Sequence, residues 1–321
     1  MGRTKPLVSV VIPTRDRPHL VVRAVRSALA QTLDPIEVIV VIDGPDEATF
    51  QMLRQIDDSR LRVRTLPARL GGGDARNVGV TEAWSQWIAL LDDDDEWFPH
   101  KLEVQFQSAE QSCHRYPLIS CRLIARSEGG DLVWPRRYPK PGEILSEYLF
   151  CQSSLLAGEG LVLPSTILTT RDLLLKIPFG SGLTRHHDVD WLLRASTLEG
   201  FALEFVPTSE PLVIWHIEEN RKRISNTTDW HYSLSWIQAN RHLVTPRAYA
   251  SFLMTWASLP AARGRDWKAF WFLPWEACHH GKPKMIDALA HLVIWLIPSG
   301  VRRRIAVFLE KRHCPGLVRH C

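Results

Sequence analysis

The stretch from Trp87 to Trp97, WIALLDDDDEW, joins an apolar run of strand length to five consecutive acids, Asp92, Asp93, Asp94, Asp95 and Glu96. Adjacent carboxylates repel one another, and a folded domain holds them together only with compensating positive charge. Oxygen ligands at the mouth of a buried strand suit a hard divalent ion, Mn²⁺ or Mg²⁺, shared with substrate phosphates. A solvated acidic loop is the plainer reading of an isolated acidic run. Here the run follows a core strand directly, and open α/β sheets bind ligands at the carboxyl ends of their strands.

Upstream, Leu7 to Ile12 is a β-branched apolar run stopped by Pro13, and Ile36 to Ile42 is a second run, ended by the turn Asp43-Gly44-Pro45-Asp46. Both predict buried strands. Leu61 to Leu66 alternates apolar residues with arginine, as a half-exposed strand does. Helical spacing fills the intervals: His19 to Gln31, the segment after Asp46 through about Ile56, and Asp74 to Trp84 after the loop Gly71-Gly72-Gly73. Four strand–helix alternations within the first hundred residues predict a mostly parallel, Rossmann-type α/β sheet with flanking helices. Parallel strands bring their carboxyl ends together, so Asp43 and the run at Asp92 to Asp95 face one edge. No GxGxxG follows the first strand and no GxxxxGK[ST] occurs, which disfavours a dinucleotide dehydrogenase and a P-loop NTPase.

The composition is that of a globular protein: 321 residues, 45% hydrophobic, 23% charged, net charge +4. That charge is too small to argue for a nucleic-acid partner. Six scattered cysteines without a CxxC pair argue against a zinc knuckle and fit a reducing cytoplasm. With no apolar leader before Val8, the reading is cytoplasmic.

Four segments carry a resemblance: VSVVIPTRDRP (Val8 to Pro18), VVIDGPD (Val40 to Asp46), GGGDARNVGV (Gly71 to Val80) and IALLDDDDEWFPHKL (Ile88 to Leu102). Their order and spacing resemble the family 2 glycosyltransferases of the GT-A fold, bacterial polysaccharide type. The resemblance implies a metal-dependent, inverting transfer of a sugar from a UDP- or dTDP-sugar to a hydroxyl of a glycan or lipid-linked acceptor. Carried over by position, Pro13, Thr14 and Arg15 line the nucleoside, and Asp43 accepts from the base. Arg76 sits near the donor sugar and diphosphate, Asp92 and Asp93 bind substrate, and Asp94 holds the metal.

Gly180 to Arg194, GSGLTRHHDVDWLLR, falls where the family has Glu-Asp before a helix; here the pair is His187-Asp188. The resemblance makes Asp188 the general base, with Asp190 a competitor and helix capping the plainer role. It also makes His216 a metal ligand, against an ordinary core histidine, and lets Arg221 and Arg223 close over the diphosphate. A sugar nucleotidyltransferase and a catalytically inactive nucleotide-sugar binder are the alternatives; the histidine in place of glutamate keeps the second open.

The domain reading is a glycosyltransferase domain at 1–225, with a nucleotide-sugar half at 1–110 and an acceptor half at 111–225, followed by a helical extension at 226–321. That extension is rich in tryptophan, and Met285 to Ile297 is too short to span a bilayer. Arg302-Arg303-Arg304, Lys311, Arg312 and Arg319 follow. Two readings stand here: helices lying on an anionic membrane surface, or a helical subdomain whose tryptophans fill a core.

Overall fold

The protein was analysed as a computed structural model that describes residues 5–217 and 228–313. It divides into two compact units, Met1–Ala125 with Val162–His216, and Arg126–Leu161 with Ile217–Cys321. In chain order the first unit contributes β1 (Val8–Thr14), α1 (Pro18–Leu29), β2 (Ile36–Ile42), α2 (Glu47–Arg54), β3 (Leu61–Thr65), α3 (Gly72–Glu82) and β4 (Trp87–Leu90). Then come β5 (Asp95–Trp97), α4 (Lys101–Gln111), β6 (Tyr116–Ser120) and β7 (Leu123–Arg126). After β8 (Leu132–Trp134) and α5 (Leu145–Phe150) of the second unit, the first resumes with β9 (Leu168–Thr170), α6 (Arg171–Lys176), α7 (His187–Ala195), β10 (Phe201–Phe205) and β11 (Val213–His216). The second unit is completed by α8 (Trp230–Ala239), α9 (Pro246–Phe252), α10 (Ser258–Arg263), α11 (Trp267–His280), α12 (Met285–Leu296) and α13 (Ser299–His313).

Seven strands form the main sheet in the order β10-β6-β9-β4-β1-β2-β3. All pairings are parallel except those of β9, which runs antiparallel to both β4 and β6. Every residue of β1 and β2 is buried, because helices cover both faces of the sheet. On α1 the buried positions Val21, Val22, Ala24, Val25 and Ala28 recur at helical spacing, and Pro18 opens the helix, where a missing N–H costs nothing. Asp46 caps α2 by accepting from the Thr49 amide at 3.1 Å. Gly79 lets α3 sit close on β1: a Cβ there would lie 2.4 Å from Val11 Cγ1.

Three boundaries differ from the sequence reading. β1 continues through Pro13 to Thr14. Thr14 turns its carbonyl to β2, where the Asp43 amide donates to it at 2.9 Å, and Val11 turns its carbonyl to β4, where Leu91 donates. Pro13 shares Val11's side, and the β4 ladder has ended by then, so no strand bond is lost. Helix α3 begins at Gly72, two residues early, because Gly71 at φ 108° makes the turn. The acidic run is also not all loop: Asp95 and Glu96 enter β5, which pairs antiparallel with β11.

In the second unit Trp230 and Trp236 are buried, with Trp236 against Phe252 and Phe252 against Phe150 and Trp256. Trp267, Trp271 and Trp275 are exposed instead. Among the described residues no helix is long and apolar enough to cross a membrane. The Arg319 side of the basic tail, and the Lys311 and Arg312 side chains, lie outside the described residues.

Candidate active site

The register of the central strands brings the acidic spots to one edge. Thr14 pairs with Ile42 across β1–β2, and Val11 with Leu90 across β1–β4, so Asp43 and Asp92 leave their strands on either side of Thr14. Thr14 touches both places: its carbonyl accepts from the Asp43 amide, and its hydroxyl donates to Asp93 at 2.8 Å.

Carboxylate oxygens of Asp92, Asp94 and Asp95 lie within 4.8 Å of one another. Cations answer this concentration of charge. Arg76, itself buried, forms an ion pair with Asp92, and Arg17 lies 2.9 Å from Asp93 and 3.6 Å from Asp94. Burial pushes the Asp93 carboxyl up to about 6, with Asp94 adding to the shift and Arg17 opposing it. Asp93 therefore belongs to the floor beneath the cluster, held by Thr14 and Arg17. The three converging carboxylates offer only hard oxygen donors, the donor set that suits Mg²⁺ or Mn²⁺.

Sequence reasoning missed Ser165. Because β9 is antiparallel to β4, its start meets the end of β4: Ala89 pairs with Leu168, and the Leu90 amide donates to Ile167. One step further on each strand faces Ser165 toward Asp92. Its buried hydroxyl accepts from the Asp92 amide at 3.0 Å and donates to the Asp95 carboxylate. One side chain thus fixes both ends of the cluster. The only signal in the sequence was Pro164-Ser165-Thr166 ahead of a short apolar strand.

Asp43 is buried, and its carboxylate accepts from the amides of Leu70 at 2.7 Å and Gly71 at 3.1 Å. Arg15 donates to the Asp43 carbonyl at 3.0 Å and pairs with Asp16. Gly72, next in line, accepts from Arg76 at 3.2 Å, so a continuous set of contacts runs from Asp43 through the glycine loop and Arg76 to Asp92. The Arg76 guanidinium also lies 5.5 Å from the Phe179 ring centroid. Asn77 brackets the Phe179 peptide, donating to its carbonyl and accepting from its amide at 3.0 and 2.9 Å.

That bracket holds the segment leading to α7. His186 caps the helix at φ 61°, a left-handed conformation costly for a side chain of this size. Burial lowers the proton affinity of His187; Arg76 lowers it further, while Asp188, Asp92 and Asp190 oppose it. The start of α7 therefore shares one electrostatic environment with Arg76 and Asp92. Among the described residues Asp188 bonds its own helix, accepting from the Val189 amide at 2.9 Å, and it is half-buried. Asp190 is buried and paired with Arg194 at 2.8 Å.

His216 follows Trp215, which pairs with Asp95 across β5 and β11. Its Nε2 is 2.6 Å from Glu96, which also pairs with Arg23 at 3.4 Å. Arg221 and Arg223 lie outside the described residues.

Residues 9–159 match the model of Glycosyl transferase family 2. The amylovoran biosynthesis glycosyltransferase AmsB of Erwinia amylovora is 28% identical over 249 residues, 74% of this chain and 79% of that protein. The similarity to glycosyl transferase family 2 thus covers just under half of the chain. The chain is also 33% identical over 99 residues to the UDP-Glc:alpha-D-GlcNAc-diphosphoundecaprenol beta-1,3-glucosyltransferase WfgD of Escherichia coli, a match covering 31% of this chain and 39% of that protein. In fold it is similar to S. aureus TarS residues 1–349, solved with UDP-GlcNAc, at a TM-score of 0.55 and 16% identity over 95% of this chain and 91% of that one. The fold of the glycosyltransferase is accordingly GT-A: a mostly parallel sheet with flanking helices and C-terminal helices.

Proposed function

We propose that this glycosyltransferase moves a sugar from a UDP- or dTDP-sugar to a hydroxyl of a glycan or lipid-linked acceptor in polysaccharide synthesis, inverting the anomeric carbon. The observation that carries this reading is the cluster of Asp92, Asp94 and Asp95 beside Arg76, with Asp188 on the helix whose first turn feels the same charges. The donor binds in the half at 1–110 and the acceptor in the half at 111–225, ahead of the helical extension at 226–321.

Asp43 accepts the imide N–H of uracil or thymine, which disfavours bases presenting only acceptors there. Pro13, Thr14 and Arg15 border the same nucleoside. Because Asp43 also holds the Leu70 and Gly71 amides, reading the base and ordering the loop that leads to Arg76 are one act. Asp92, Asp94 and Asp95 would hold Mn²⁺ or Mg²⁺, and the bound ion would stabilise charge on the diphosphate. His216, held by Glu96 and next to the strand partner of Asp95, would add a nitrogen ligand to that ion. Arg76 offers a second cation to the phosphates.

Asp188 takes the proton of the acceptor hydroxyl as that oxygen attacks the anomeric carbon. The bond from carbon to the diphosphate oxygen breaks with its electron pair, and nucleoside diphosphate leaves from the opposite face. One displacement gives inversion without a covalent sugar–enzyme intermediate. WfgD is named for a diphosphoundecaprenol acceptor and a UDP-sugar donor, and TarS was solved with UDP-GlcNAc; both support the choice of donor class.

The test is nucleoside diphosphate release from a panel of UDP- and dTDP-sugars, with Mn²⁺ or with chelator. Release that needs the metal and collapses in Asp94→Asn supports the transferase. Tight nucleotide-sugar binding with no release, acceptors supplied, would identify an inactive binder. Pyrophosphate exchange would identify a nucleotidyltransferase.

A further inference from the structure

Helices α11, α12 and α13 of the second unit each expose an apolar stripe. The apolar side chains on α11 at Trp267, Trp271 and Trp275 recur every fourth residue and are exposed, Trp271 by 74%. On α12 Met285, Leu289, Leu292 and Leu296, at spacings of four, three and four, are exposed too, Met285 by 76%. On α13 the stripe is Val301, Ile305 and Phe308. Each set lies on one helical face.

Three polar residues of α11 and α12, Glu276, Asp287 and His291, are buried. Buried Glu276 accepts from Tyr249 at 2.7 Å and Gln238 at 3.1 Å. Buried Asp287 accepts from Ser251 at 2.7 Å and pairs with Arg247. Buried His291 sits between the Ser258 hydroxyl at 2.8 Å and the Phe270 carbonyl at 3.1 Å. Their hydrogen bonds are made within the bundle, so the outward faces are left to carbon. The first two stripes join, because the Trp267 ring lies tilted against Trp295 with centroids 5.4 Å apart, one turn from Leu292 and beside Leu296.

Charge on these helices is sorted by sign. Between residues 263 and 313 the acids are Asp266, Glu276, Asp287 and Glu310. Two are buried, and Asp266 is committed to the Trp230 ring nitrogen and the Lys268 amide. Arg263, Arg265, Lys268, Lys282, Lys284 and Arg304 are exposed, a basic rim around the apolar stripes. Arg302 adds to it: burial lowers its proton affinity, and so does its neighbour Arg263. An apolar face with tryptophans and a rim of base fits the headgroup boundary of an anionic bilayer. No described helix can span, so the contact is in the plane.

We infer that the exposed faces of α11, α12 and α13 dock this protein on an anionic membrane surface. The inference rests on the transferase reading only for its purpose, which is to bring the site to a lipid-linked acceptor. The tryptophans and leucines enter the boundary between headgroups and acyl chains, and the basic rim meets lipid phosphates.

Flotation of the full chain with phosphatidylglycerol-containing and with pure phosphatidylcholine vesicles tests this. Wild type is expected to float with the anionic vesicles and to show blue-shifted tryptophan emission. Trp271→Ser combined with Leu296→Ser should weaken flotation at least about tenfold, because two buried apolar side chains are lost. Melting temperature and lipid-free donor hydrolysis should stay unchanged. Wild type left unbound by every vesicle would overturn the inference, as would a concentration-dependent dimer that the double variant dissolves while vesicles have no effect. Flotation with no nucleoside diphosphate release would sink the transferase reading alone, and release without flotation would sink the docking alone.

Discussion

The carboxyl edge of the first unit and the outer faces of α11 to α13 break the ordinary rule of burial in opposite directions. The first holds charge where apolar residues belong: Asp93, Asp95 and Arg76 are buried together. The second holds tryptophan and leucine where charge belongs. Buried charge is costly unless paired, and exposed apolar surface of this extent is rare on a monomer. Local chemistry answers part of each cost, through Arg76, Arg17 and Ser165 at one place and the basic rim at the other. In the proposed reading the remainder is answered by a partner of matching character, a hard cation with a diphosphate in one case and an anionic bilayer in the other. A protein built only to be stable would exchange the contents of the two regions.

The largest effect that would break this comparison is at Asp188. Asp188→Asn removes the proton acceptor and keeps the shape, so kcat should fall about a hundred- to ten-thousand-fold with little change in donor KM. Asp190→Asn frees Arg194 and should lower stability, with a smaller loss of kcat per folded molecule. Steady-state release of nucleoside diphosphate with acceptor present measures both. A larger catalytic loss in Asp190→Asn would move the base by two residues.

Next in size is Ser165. Its hydroxyl holds the Asp92 amide and the Asp95 carboxylate at once, so Ser165→Ala should weaken Mn²⁺ binding about ten- to a hundredfold, as loss of a residue behind the ligands does. Ser165→Thr, which keeps the hydroxyl, should restore much of it. Metal titration followed by calorimetry separates this from a change in donor binding. Equal Mn²⁺ affinity in wild type and Ser165→Ala would reduce Ser165 to packing.

Much of the sheet was legible because its signals are local. β-branched runs such as Ile36 to Ile42 can only be buried strands, and four alternations with helical spacing leave few topologies. The acidic edge was legible for the same reason, since Asp43 and Asp92 each end a parallel strand. What escaped depends on partners distant in sequence. Ser165 reaches Asp92 only because β9 reverses direction between β4 and β6, and no local pattern encodes that insertion. Asp95 and Glu96 read as loop because the strand they pair with, β11, lies more than a hundred residues away. Nothing local marks Arg17 as a counter-charge to Asp93. In the helical unit the composition left two readings of the tryptophans, and the structure distributes them: Trp230 and Trp236 inside, Trp267, Trp271 and Trp275 outside.

A buried charge outside the cluster sharpens the contrast further. Lys101 is fully buried, its ammonium 3.8 Å from the Trp97 ring centroid and bonded to Gln105. Burial lowers it from 10.5 to about 7, with Cys121 opposing the shift. The unfolded chain keeps that proton up to its ordinary value, so the unfolded state binds more protons between these limits. Stability should therefore rise with pH from about 7 toward 10.5. Lys101→Met should flatten that slope by up to about 1 kcal/mol per pH unit. Urea unfolding at a series of pH values measures it, and an unchanged slope would mean that Lys101 stays charged inside the fold.

The smallest effect concerns the basic rim, and it probes whether charge or carbon dominates the outer faces. Arg304 is exposed and adjoins the stripe of Val301 and Ile305. One such residue near an anionic leaflet is worth about 1 kcal/mol, so Arg304→Gln should weaken binding to phosphatidylglycerol vesicles about fivefold. Raising salt to 1 M shortens the Debye length to about 3 Å and should erase the difference between variant and wild type. The apolar contribution should survive that salt, because burial of tryptophan and leucine does not rely on charge. Binding of wild type that vanishes entirely at high salt would show the exposed tryptophans to be bystanders and the rim to be the whole of the contact.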